Sequence, residues 1–138
     1  FNWGIIMGWT SVSESLSPVI FLIYLSSIFW TLGYDTVYGY QDIIDDKIIG
    51  IKSTAVLFEK NPKVAIYTFY IISFLLMFMA MIWIGAGYKT FLVFLCAVML
   101  GIVLLGKLNL REVKSCARFF LANKYIGFLV VLALALSI

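Results

Sequence analysis

The sequence predicts an all-α, polytopic membrane protein, and three observations predict it. Of its 138 residues 64% are hydrophobic and only 12% are charged. The mean hydropathy is +1.07, well outside the range of a water-soluble domain. The charges cluster between apolar runs near twenty residues long, the length needed to cross about 30 Å of hydrocarbon. About four or five crossings fit.

The first run, Phe1 to Ser13, is uncharged but too short to span, and without an initiator methionine it reads as the tail of a longer helix. It lacks the basic n-region and small-residue cleavage site of a signal peptide. The second run lies between Glu14 and Asp35, twenty uncharged residues with Pro18 placed to start the helix. The third, Val64 to Tyr88, follows the start signal Asn61-Pro62 and stops at Gly85-Ala86-Gly87. The fourth covers Thr90 to Gly106, and the fifth runs from Phe119 onward with Lys124 as its one charge. Lys107 and Lys124 are expected to lay their stems along the apolar surface with the ammonium at the interface.

Basic residues orient the spans. Lys47, Lys52, Lys60 and Lys63 lie between the second and third, and Lys107, Arg111, Lys114, Arg118 and Lys124 lie around the gap between the fourth and fifth. Lys89 alone falls on the other side, so the positive-inside rule puts the long loop after Tyr34 in the cytoplasm or its equivalent. The 4-3-4 spacing of Lys107, Arg111, Lys114 and Arg118 would align them along one helical face. That face reads better as an interfacial segment drawn to anionic headgroups, with Leu108, Leu110 and Val113 against lipid, than as a diphosphate contact.

Several function classes drop out. The charge pattern is membrane topology and no nucleic-acid footprint. Cys96 and Cys116 show neither disulfide nor metal spacing. No histidine is present, which removes zinc-hydrolase motifs, Ser-His-Asp triads and imidazole ligation of haem from this chain. Carboxylates, lysines and tyrosines remain.

They concentrate in Tyr34 to Lys52, YDTVYGYQDIIDDKIIGIK, which holds four of the seven acidic residues. On a helix, Asp42, Asp45 and Asp46 at i, i+3 and i+4 would project to one side and repel unless a cation sat between them. Hard oxygen donors suit Mg²⁺, which takes one or two carboxylates and completes its shell with water and phosphate oxygens, so the pattern points to a diphosphate substrate. Asp35 would lie two turns before Asp42 on the same face, deeper toward the membrane, if the helix were continuous. The acids could equally solvate the mouth of a helix pair. Tyr34, Tyr38 and Tyr40 and the basic turn Gly50-Ile51-Lys52-Ser53-Thr54-Ala55 weigh toward function.

The stretch Asp35 to Phe58, DTVYGYQDIIDDKIIGIKSTAVLF, resembles the second Asp-rich motif of the UbiA prenyltransferase superfamily, and GIKSTA resembles its 4-hydroxybenzoate branch. The opening WGIIMGW and the closing KSCARFFLANKYIGF agree, so the resemblance covers nearly the whole chain. It implies one partial domain, residues 1–138, forming the C-terminal half of a nine-helix transmembrane bundle in a bacterial or mitochondrial inner membrane. The family's first, Asn-Asp-led motif has no counterpart here, so half of an active site is expected, with a missing N-terminal half as partner.

By the same resemblance, Mg²⁺ held between both motifs binds a polyprenyl diphosphate and neutralises the leaving group, and an allylic cation attacks the ring of 4-hydroxybenzoate. Asp42 and Asp46 would be the metal ligands, Asp45 a partner behind them, and Lys52 a diphosphate contact. Asp35 would accept the phenol proton with Tyr38 beside it, although Tyr38 also suits an interfacial aromatic belt. Other branches prenylate naphthoate, homogentisate, haem or chlorophyllide precursors. A non-catalytic membrane protein such as a cation transporter subunit is the rival, weakened because the spans are read as carrying only Ser, Thr and Gly as polar residues.

Overall fold

The computed structural model describes residues 2–13 and 15–137; Phe1, Glu14 and Ile138 lie outside the described residues. Every regular element in it is helical. In chain order these are α1 (Trp3–Val12), α2 (Pro18–Gly39), α3 (Ile43–Ile49), α4 (Thr54–Leu57), α5 (Pro62–Trp83), α6 (Tyr88–Gly106) and α7 (Val113–Ala135). Four of them, α2, α5, α6 and α7, are long and apolar enough to cross a membrane.

Local chemistry sets the boundaries. Pro18 and Pro62 occupy first-turn positions, where the missing N–H costs nothing, and the Ser17 hydroxyl accepts from the Val19 amide. After α5, Gly85 adopts φ 67°, and the amides of Gly85 and Ala86 close back on the carbonyls of Ile82 and Met81. That turn reverses the chain into α6.

Two expectations about the basic segment are corrected. It is no single helix: Lys107 ends α6, residues 108–112 form a turn, and α7 opens at Val113, six residues before the apolar run begins. Leu108 accordingly turns into the core, 6% exposed, rather than toward lipid. The α7 start is easily missed because Lys114 and Arg118 resemble a loop, whereas the first turns of a spanning helix lie in the polar interface and tolerate charge.

Small residues and polar pins draw the helices together, as expected where burial from water supplies little helix–helix attraction. Ser26 on α2 donates to the Ser73 carbonyl of α5 at 2.9 Å. Gly33 lets the Tyr70 ring lie against α2, and Gly127 of α7 leaves room for Trp30. Deep in the bundle, the Asn123 carbonyl oxygen accepts from Trp30 Nε1 at 3.1 Å and from the Tyr70 hydroxyl, while its amide donates to the Phe119 carbonyl at 2.8 Å. One α7 side chain thus ties α2 and α5 together. This corrects the reading of the spans as free of polar residues beyond Ser, Thr and Gly.

Tyr38 against Phe120 and Tyr67 donating to the Leu105 carbonyl at 3.4 Å show that the end of α2, the starts of α5 and α7 and the end of α6 share one end of the bundle. The Asp-rich segment and the basic turn therefore lie at that end, opposite Lys89. The outward faces carry Leu75, Met79, Leu92, Leu95, Met99 and Ile102, an apolar coat suited to a bilayer.

Candidate functional site

The Asp-rich segment is a short folded excursion at that end of the bundle. After α2 ends at Gly39, residues 40–42 turn the chain into α3, with Asp42 at its N-cap and Asp45 and Asp46 in its first turn. Acids there are favoured by the unpaired N–H groups of a helix start. The Asp42 carboxylate makes no capping bond. Gly50 stops α3 at φ 80°, and the amides of Gly50 and Ile51 close onto the carbonyls of Lys47 and Asp46.

Lys52 follows in the exposed link before α4, whose first turn is capped by the Ser53 hydroxyl accepting from the Val56 amide. Thr36 donates to Thr54 at 2.9 Å, and Ala55 packs where Gly39 has no side chain, which seats α4 on the end of α2. The ion pair of Lys47 with Glu59 joins α3 to the segment leading into α5.

The predicted residues share this neighbourhood but do not converge. Because the helix breaks at Gly39, Asp35 and Asp42 are not two turns apart on one continuous face, and that expectation is corrected. Asp35, Asp42, Asp45 and Lys52 are exposed and Asp46 is half-buried. Among the described residues, no three Asp, Glu, His or Cys side chains come close enough to hold a metal ion. The donor chemistry still fits Mg²⁺, which accepts one or two carboxylates if other oxygens complete its shell. The arrangement fits an open, shared site rather than a cage.

Tyr38 is 46% exposed and packs its ring on Phe120 at 4.8 Å. Beside it, the Tyr40 hydroxyl is buried without a hydrogen-bond partner. Burial, helped by the nearby Glu59 carboxylate, pushes its pKa above the ordinary phenol value. Below the loop, an apolar cavity of about 420 Å³ lies between α2, α5 and α7, bordered by Ile23, Trp30, Phe74, Met77 and Val130.

The model of the UbiA prenyltransferase family matches residues 1–135. The chain belongs to the UbiA prenyltransferase family. A 4-hydroxybenzoate octaprenyltransferase of Yersinia pseudotuberculosis is 38% identical over 99% of this chain and 48% of its own length. The mitochondrial 4-hydroxybenzoate polyprenyltransferase of Rattus norvegicus is 36% identical over 99% of this chain and 37% of its own. Its Mus musculus counterpart is 50% identical over 64 residues, 46% of this chain. The chain thus spans between about a third and a half of the length of these relatives. No solved structure matches it.

Asn123 and the aromatic groups around it do not stand out in the sequence as functional residues. The available signal is an asparagine inside an otherwise apolar run, since a buried amide needs partners.

Proposed function

We propose that the chain is the C-terminal half of an aromatic prenyltransferase that moves a polyprenyl group from polyprenyl diphosphate to 4-hydroxybenzoate, in ubiquinone biosynthesis. The observation that carries this reading is the similarity, along 99% of the chain, to proteins bearing that activity in their names. The Asp-rich loop folded onto the end of α2 supports it.

In this reading Asp42 and Asp46 hold Mg²⁺, with Asp45 supporting them, and the rest of the shell comes from the diphosphate, water and an N-terminal half of the enzyme. Bound there, Mg²⁺ supplies Lewis-acid neutralisation of the leaving diphosphate oxygens. Lys52, on a flexible stem in the exposed link, adds a point charge for the same diphosphate. Asp35, at the end of α2, accepts the phenol proton of the acceptor and so raises the electron density of its ring. Tyr38 walls that position through its packing on Phe120. The apolar cavity bordered by Trp30 and Met77 takes the beginning of the prenyl chain. The loop faces the cytoplasm of a bacterium or the mitochondrial matrix, the side carrying eight of the ten basic residues.

The test is reassembly with the N-terminal half of a 4-hydroxybenzoate octaprenyltransferase in a strain lacking its own. Prenylated 4-hydroxybenzoate is expected from the pair and from neither part alone. Asp42→Ala and Asp46→Ala should each abolish product while the protein still inserts, and Asp45→Ala should do less harm. Full activity of both variants would rule out these carboxylates as ligands.

A further inference from the structure

Among the described residues of the four spans, charged side chains lie within about a turn and a half of a helix end, with one exception. Lys124 stands eleven residues from Val113 and eleven from Ala135, the two ends of α7. It stands five residues past Phe119, where the apolar run begins, about 8 Å along the helix axis, and its side chain is exposed on the bundle surface. A charge at that depth belongs in a cavity or against a partner.

No carboxylate answers it: the ion pairs among the described residues are Lys47 with Glu59 and Arg118 with Glu112. The ammonium rests over the Tyr125 ring, 5.1 Å from its centre. It borders an open concavity of about 290 Å³ lined by Trp30, Tyr34, Phe120, Leu121, Asn123 and Lys124.

Three of those residues are aromatic and mutually braced. Trp30 and Tyr34 meet edge to face at 5.5 Å, and Tyr34 and Phe120 at 5.6 Å. Trp30 is further fixed by its bond to Asn123, whose oxygen takes two donors and whose amide gives one of its two hydrogens to the Phe119 carbonyl. Asn123 is thus committed to holding the wall. Lys124 is the charged group left for a ligand.

We infer that this concavity is a subsite for an aromatic carboxylate, with the ring against Trp30, Tyr34 and Phe120 and the carboxylate on the Lys124 ammonium. Flat aromatic walls beside an exposed cation within the span suit a benzoate better than an aliphatic anion, because the ring stacks or meets edges while the carboxylate takes a charge-assisted bond. The inference rests on the aromatic-acceptor reading proposed for the chain and adds a direction to it. Lys124 is one turn deeper than Phe120, which packs on Tyr38, so the carboxylate end would point into the membrane. A hydroxyl para to it would then point toward Asp35 and the Asp-rich loop. The residue would select acceptors that carry an acid opposite the phenol.

Equilibrium binding of radiolabelled 4-hydroxybenzoate and its methyl ester to the chain in lipid nanodiscs tests this. Lys124→Met should weaken the acid about ten- to a hundredfold and leave the uncharged ester unchanged, and Lys124→Arg should keep most of the affinity. Equal weakening of acid and ester, or no saturable binding of any aromatic acid, overturns the inference. Acid binding that is indifferent to Lys124→Met overturns it while leaving the 4-hydroxybenzoate reading intact. Lys124-dependent binding of 1,4-dihydroxy-2-naphthoate but not of 4-hydroxybenzoate keeps the subsite and removes the named acceptor.

Discussion

The seam where α2, α5 and α7 meet and the loop from Tyr40 to Asn61 answer to opposite demands. At the seam, Tyr70 is 1% exposed, Asn123 4% and Ile126 1%, and the polar atoms of the Trp30, Tyr70 and Asn123 side chains are paired with one another or with backbone. In the loop, α3 has no buried residue and its aspartates make no side-chain bond to other residues. A bilayer penalises every unsatisfied group at the seam, so that region must be complete within the chain. The loop lies at the end of the bundle, where water can satisfy carboxylates, so they can stay unpaired within the chain. Paired polar groups are concentrated where there is no solvent, and unpaired charge where there is.

The sharpest way to break that contrast is to overfill the seam. A side chain at Gly33 would bring its Cβ to 2.7 Å from Tyr70 Cε2. Tyr70 cannot retreat, because it is buried and held by Asn123. Gly33→Val should cost about 2–3 kcal/mol or more, against any gain in helix propensity, in an unfolding titration in bicelles. Gly106→Ala on α6, where nothing lies within 4 Å, should be neutral or slightly stabilising in the same assay. Equal costs at the two sites would mean that the close approach at Gly33 does not exist.

How much of this could be read in advance divides along the same line. Pro18, Pro62 and the Gly85-Ala86-Gly87 turn marked real helix ends, because starts and stops are set by residues within a few positions of each other. The spacing of Asp35 and Asp42 misled, because seven residues make two turns only if the helix continues, and it ends at Gly39. Asn123 and Lys124 were legible as residue types and illegible as roles. The partners of Asn123, Trp30 and Tyr70, lie 93 and 53 positions away in the chain, and only the packed bundle brings them together.

A smaller perturbation asks whether the seam is held by pairing rather than by shape alone. Asn123→Leu keeps the branching at Cγ but leaves Trp30 Nε1 and the Tyr70 hydroxyl without their acceptor. A loss of about 1–2 kcal/mol is expected, less than for Gly33→Val, because part of each hydrogen bond can be replaced in a membrane-embedded unfolded state. Adding Tyr70→Phe should return part of it, since one stranded donor is then removed. If the double variant were no better than Asn123→Leu alone, the network would have to be ascribed to packing.

The smallest effect is expected in the loop, at the Tyr40 hydroxyl, which with Gln41 Nε2 makes up the buried unpaired side-chain atoms among the loop's described residues. The Tyr40 hydroxyl has no partner, so Tyr40→Phe removes a desolvated polar atom and should leave stability unchanged or slightly improved at neutral pH. Its titration gives a second readout. Burial first, then the Glu59 carboxylate, raise the pKa of Tyr40 above the ordinary 10.0, so the folded chain keeps the phenol neutral where the unfolded chain would ionise it. The contribution of Tyr40 to stability is therefore fully present below about pH 10 and is lost as pH rises through its folded-state pKa. Tyr40→Phe should flatten that alkaline loss in a stability-versus-pH series. Glu59→Gln should make the loss smaller, because without the second cause the folded-state value falls back toward the ordinary one. An alkaline profile identical in the parent and in Tyr40→Phe would place the phenol in water, and the loop would then be solvated even on the side it turns toward the bundle.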